Sequence, residues 1–80
     1  MYFVYVLKSE KDDGWYIGST ENFENRLKFH SKGNVKSTKF RRPLKLIYTE
    51  EFKTRDLAEK AERYYKSGAG RVKLKKLLKI

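Results

Sequence analysis

The chain opens on residues 1–8, Met-Tyr-Phe-Val-Tyr-Val-Leu-Lys, which are β-branched, aromatic and apolar at consecutive positions. A run that is apolar on both faces predicts a central strand. The polar stretch from Ser9 to Gly14 follows, and its Asp13-Gly14 step predicts a hairpin with Trp15 to Gly18 as the return strand. Ser19 or Thr20 can cap a helix running through Asn22 to Ser31, where Phe23, Leu27 and His30 recur at helical spacing and Gly33 supplies the stop. Asn34 to Arg42 is basic, lacks periodicity and predicts a loop ended by Pro43. Leu44, Leu46 and Tyr48 alternate with Lys45, Ile47 and Thr49, which predicts a third strand to about Phe52.

Thr54 is a helix N-cap candidate, with Asp56 favourably placed in the first turn. Leu57, Ala58, Ala61, Tyr64 and Tyr65 form the apolar stripe of an amphipathic helix. Gly68 ends it, Ala69-Gly70 is a short link, and Val72 to Ile80 forms a last helix with Leu74, Leu77 and Leu78 on one side. The order β-β-α-β-α-α predicts an α+β fold, a small three-stranded antiparallel sheet covered by helices. Eighty residues make one domain, 1–80, with a thin core. Aromatics at 15% suit that core, because each ring buries a large area.

Composition narrows the function. The absence of cysteine excludes disulfides and any cysteine-ligated zinc or cluster. The apolar run Met1 to Leu7 is too short for a membrane span and has no basic residues before it, so the expectation is a soluble cytoplasmic protein without a membrane partner. Net charge is +10, and it is clustered. Arg26 to Lys45 holds eight Lys/Arg and no acid, and Arg63 to the C-terminus holds seven more and no acid. Two basic blocks flanking acidic segments have the form of a nucleic-acid footprint. An anionic membrane surface fits less well, because the basic residues are not confined to one long amphipathic helix.

A basic patch predicts affinity, whereas a reaction needs convergent groups. Phosphodiester hydrolysis needs an activated water, charge neutralisation on the phosphate and a stabilised leaving oxygen. Arg26 and His30 are four apart and share a helix face. Glu62 is the last acid in the chain and sits at the margin of an apolar stripe, amid positive charge. Each has a bland alternative. Glu62 can pair with Lys66 at i+4, Arg26 can be solvated, His30 can serve the helix C-terminus, and Tyr5 and Tyr16 can be core residues of their strands. Asp12-Asp13 is explained by its turn, and Gly68-Ala69-Gly70 is no dinucleotide loop because it lies between two helices.

Phe3-Val4-Tyr5, then ten residues, then Tyr16-Ile17-Gly18, resembles the paired motif of the GIY-YIG nuclease superfamily. Arg26 and His30 follow at the family's spacing, and Ala58 to Glu62 is similar to the helix carrying its metal-binding Glu. The likeness covers nearly the whole chain and is closest to small stand-alone bacterial members. Phe3 and Val4 replace the first motif's Gly and Ile, and the asparagine of some larger members has no counterpart, since the last Asn is Asn34.

The resemblance implies a metal-dependent endonuclease acting on nucleic acid, DNA before RNA. Glu62 would bind one divalent ion, Mg²⁺ or Mn²⁺. Tyr16, or Tyr5 with it, would position and deprotonate the attacking water. Arg26 would clamp the phosphate, and His30 would orient a tyrosine or the water. Gly18 would give substrate backbone clearance. Lys36, Lys39, Arg41 and Arg42 of the loop, with Lys73 and Lys76 of the last helix, would hold flanking backbone. Pairing Lys8 with Trp15 would set Tyr5 opposite Gly18 and Tyr16 opposite Leu7, with both phenols on one face; a one-residue slip would separate them. The alternative is a basic nucleic-acid-binding module with little or no catalysis, in which aromatics such as Phe40 stack on single-stranded bases. A small structural protein of a ribonucleoprotein particle is a third reading.

Overall fold

The computed structural model describes residues 1–33 and 39–79, residue 29 by its backbone alone. Strand β1 (Tyr2–Ser9) runs between β2 (Trp15–Thr20) and β3 (Leu44–Phe52) in an antiparallel sheet of order β2-β1-β3. Val4, Tyr5, Val6 and Leu7 are all buried, so β1 needs cover on both faces. Helix α1 (Phe23–Lys32) covers one face, where Phe23 meets the rings of Phe3 and Tyr5. Helices α2 (Arg55–Lys66) and α3 (Gly68–Leu78) cover the other. There Val4, Val6 and Ile17 pack with Ala58, Tyr65 and Leu74.

The hairpin forms where Asp13-Gly14 predicts it. Asp13 adopts the left-handed conformation at φ 59°, and Ser9 closes the turn by donating its N–H to the Gly14 carbonyl at 2.8 Å. The Asp12 carboxylate accepts the Gly14 N–H, so it serves the turn. The register sets Lys8 against Trp15, Leu7 against Tyr16 and Tyr5 against Gly18. Both tyrosines therefore project toward α1.

Four local expectations are corrected. The cap of α1 is Asn22, whose side-chain oxygen accepts the Asn25 N–H, while Ser19 and Thr20 belong to β2. In β3 the uniform alternation breaks at Ile47. Val6 pairs with Tyr48 and Leu7 with Leu46, leaving Ile47 as an extra residue. Such a bulge flips the pattern, so Tyr48 faces α2 while Leu44 and Leu46 share the face of Tyr5 and Leu7. Gly68 starts α3 rather than merely ending α2, and Gly68-Ala69-Gly70 is its first turn, not a link. Ser67 makes this possible by accepting the Gly70 N–H and donating to the Tyr64 carbonyl, thereby serving both helix ends. On α3, Leu74 is fully buried, but Leu77 is 52% exposed and points away from the core. Ile80 lies outside the described residues.

Thr54 caps α2 as its sequence position predicts, accepting the Leu57 N–H at 3.2 Å.

Candidate active site

The α1-facing side of the β1–β2 pair carries Tyr5 opposite Gly18 and Leu7 opposite Tyr16. A β-carbon at Gly18 would stand 2.5 Å from Tyr5 Oη and 2.7 Å from Cζ. Glycine therefore lets the Tyr5 ring lie across β2. The hollow at Gly18 is occupied by the Tyr5 phenol.

Tyr5, Tyr16, Arg26 and His30 meet on this face. Arg26 donates Nε–H to Tyr5 Oη at 3.3 Å, and Tyr5 Oη lies 3.1 Å from His30 Nε2. Arginine has only donors, so Tyr5 accepts from Arg26 and its own proton is available to His30 Nε2. The Tyr16 ring packs 4.9 Å from His30 and 6.3 Å from Tyr5, centroid to centroid. These contacts follow from helix spacing: Arg26 and His30 sit one turn apart on the face of α1 that meets the sheet.

The electrostatics divide the roles. Burial pushes the Tyr5 phenol above its ordinary value, against the Arg26 hydrogen bond that pulls it down. Tyr5 therefore stays protonated near neutral pH and acts as a donor and spacer. His30 is 1% exposed; its burial, with the charge of Arg26 beside it, pushes its pKa down to about 4. Neutral His30 can accept from Tyr5 across the whole neutral range.

This burial makes stability pH-dependent. Histidine titrates near 6.5 when exposed, whereas folded His30 titrates at about 4. Between those values the unfolded chain takes up a proton that the folded chain refuses, so stability falls as pH drops through that window. The expected loss from pH 7 to 5 is about 2 kcal/mol, in addition to changes at other groups. Urea midpoints at the two pH values, compared with His30→Gln, measure it. An equally steep loss in the variant would rule out His30 as its source.

Glu62 approaches from the other direction. It stands on α2 and accepts hydrogen bonds from Ser19 Oγ at 2.5 Å and Lys66 Nζ at 2.8 Å. Ser19 faces α2, opposite in parity to Gly18, so Glu62 lies across edge strand β2 from the phenols. Burial pushes its carboxyl upward, but the bonds from Lys66 and Ser19 and the charges of Lys66 and Arg63 outweigh it, holding Glu62 below the usual carboxylate range. Its negative charge still reaches Tyr5 and contributes to raising that phenol. Ser19, Glu59, Glu62 and Arg63 line a cleft of about 270 Å³. Among the described residues no three His, Cys, Asp or Glu side chains gather as a metal cage. The donors lining it, the carboxylates of Glu62 and Glu59 and the Ser19 hydroxyl, are hard oxygens that suit a largely hydrated Mg²⁺. Sequence reasoning took Ser19 for a helix cap; its parity with Ile17 was the signal that it faces α2.

The basic residues are more tied down than their sequence suggested. Arg42 donates to the carbonyls of Ser31 and Lys39, clasping the end of α1, and Arg41 pairs with Asp12 at 3.4 Å. Lys39 lies over the Phe40 ring and Lys73 over the Tyr64 ring. Lys73 and Lys76 belong to α3, on the sheet face opposite the phenols. Lys36 lies outside the described residues.

A sequence model of the GIY-YIG catalytic domain matches residues 1–75. The chain belongs to the GIY-YIG family. Its relatives include UPF0213 protein YazA of Bacillus subtilis, 46% identical over 66 residues, covering 81% of this chain and 66% of YazA. UPF0213 protein SSP2268 of Staphylococcus saprophyticus is 37% identical, covering 92% of this chain and 90% of its own. The solution structure of UPF0213 protein BH0048 from Bacillus halodurans is similar at a TM-score of 0.60 and 32% identity, covering 96% of this chain and 85% of that one. Within this GIY-YIG domain the departures in the first motif are packing solutions. Phe3 meets Phe23 at 5.6 Å, Val4 is fully buried, and only Tyr5 enters the polar cluster.

Proposed function

We propose that this GIY-YIG protein is a metal-dependent endonuclease that hydrolyses phosphodiester bonds in nucleic acid, DNA before RNA. The observation that carries the reading is the Arg26–Tyr5–His30 hydrogen-bonded chain beside Tyr16, with an ionised Glu62 across the edge strand. Arg26 spends its Nε on Tyr5, and a guanidinium has further N–H donors with which to clamp a phosphate. Tyr5 holds that guanidinium in place, and neutral His30 fixes Tyr5. Tyr16, half-buried where Tyr5 is fully buried, orients the attacking water and, as its phenolate in the positive field of Arg26, takes the water's proton. Glu62 and Ser19 would hold one Mg²⁺ or Mn²⁺, which when bound neutralises charge on the scissile phosphate and the departing oxygen.

The decisive experiment is a cleavage screen of the full chain over single-stranded, duplex and branched DNA and RNA, with Mg²⁺, Mn²⁺ and EDTA. Cleavage that needs the metal supports the reading. Binding without cleavage on any substrate would leave a basic binding module.

A further inference from the structure

Phe40 is 76% exposed, more than any other large hydrophobic side chain among the described residues. Burying a phenylalanine is worth roughly 2 to 3 kcal/mol, so a mobile turn would let the ring fold inward. This turn is pinned with the ring outside. Lys39–Arg41 forms one turn of 3-10 helix. Ser9 Oγ donates to the Arg41 carbonyl at 2.6 Å, and Lys11 Nζ to that of Phe40 at 3.4 Å. Arg42 ties the Lys39 carbonyl to that of Ser31 at the end of α1. Glu10 donates its backbone N–H to the Pro43 carbonyl, anchoring the far side. The turn is thus fixed to both the β1–β2 hairpin and the helix that carries Arg26 and His30.

Its surroundings favour an anionic, planar ligand. Lys39 Nζ stands over one face of the ring, 5.5 Å from its centroid, so the turn carries a cation on an aromatic ring that is otherwise largely exposed. No acid occurs from Arg26 to Lys45, and the nearby Asp12 is paired with Arg41. Ser9 shares the face of Tyr5 on β1, four residues on, about 13 Å along the strand. That is roughly four nucleotides at the spacing of a stacked strand.

We infer that Phe40 is a base-stacking residue that selects nucleic acid carrying an unpaired base a few nucleotides from the scissile phosphate. This rests on the nuclease reading for the position of the phosphate but not for the stacking itself. A duplex hides its base faces, whereas a single strand, flap or bulge presents one to the ring while Lys39 meets its phosphate.

The test measures binding of the full chain in EDTA to a DNA oligonucleotide as a single strand and as a perfect duplex, for wild type, Phe40→Ala and Phe40→Trp. Phe40→Ala should weaken single-strand binding roughly 5- to 100-fold and duplex binding by less than about twofold. The salt dependence of single-strand binding should stay unchanged, because no phosphate contact is removed. Phe40→Trp should restore the single-strand preference. Equal effects on both substrates, an altered salt slope, or no binding by the wild type would each overturn the inference. If the preference follows Phe40 but no substrate is cut in the metal screen, stacking stands and the nuclease reading falls.

Discussion

Replacing Gly70 by alanine is expected to remove a large share of the protein's stability, about 3 kcal/mol or more. A β-carbon there would lie within covalent range of the Tyr64 carbonyl oxygen, 2.5 Å from its carbonyl carbon and 2.6 Å from Tyr65 Cα. All three obstacles are backbone of α2, so no side chain can swing away. Relief requires α3 to move off α2, and that withdraws Leu74 from its packing with Tyr65, Val4 and Ala58. A small fold has only about 5 to 10 kcal/mol in total. Gly68→Ala is the matched control: it lies in the same helical turn, and a β-carbon there meets nothing within 4 Å. It should be neutral or slightly stabilising, since alanine favours helix. Thermal unfolding followed by circular dichroism separates the two. Gly70→Ala should lower Tm by about 12 °C or more, and a Tm within a couple of degrees of wild type would refute the close approach.

The same glycine shows where the sequence stopped being legible. Gly68-Ala69-Gly70 carries the composition of a link, and local propensity has no means of seeing the α2 backbone against which Gly70 packs. Ser67 belongs to two helices at once, which a rule for one helix end does not anticipate. The Ile47 bulge is likewise non-local, because it is a mismatch in length between β3 and β1. What could be read was what parity and spacing determine alone. The doubly apolar β1 had to be central, the Asp13-Gly14 turn set the register, and the register put Tyr5 and Tyr16 together. One turn of α1 then brought Arg26 and His30 to them. Which tyrosine is buried depended on how rings fill space across two strands. Glu62 was found as a residue type in an unusual charge setting, but its hold on Ser19 is a contact over 43 residues.

That hold shapes the second large effect. Glu62→Gln should lower metal-dependent cleavage on the order of a thousandfold while the fold and nucleic-acid affinity persist. Glutamine keeps the length of the side chain and an oxygen that can accept from Lys66 or Ser19. It loses the charge, which a hard divalent cation with few other protein oxygens around it requires. The fold should tolerate the change, since the pair with Lys66 lies at i, i+4 on a helix surface and such pairs contribute a few tenths of a kcal/mol. Affinity should hold or rise slightly, because a negative charge beside the bound phosphates is gone. The Tyr5 phenol should also titrate lower in the variant, since Glu62 helps to push it up. Single-turnover cleavage with saturating protein separates the catalytic loss from binding, and a spectroscopic titration of tyrosine follows the phenol. Cleavage within about tenfold of wild type in Glu62→Gln would remove this carboxylate from the chemistry. Wild-type cleavage that persists undiminished in EDTA would remove the cation as well, and leave the Arg26–Tyr5–His30 chain beside Tyr16 to act without it.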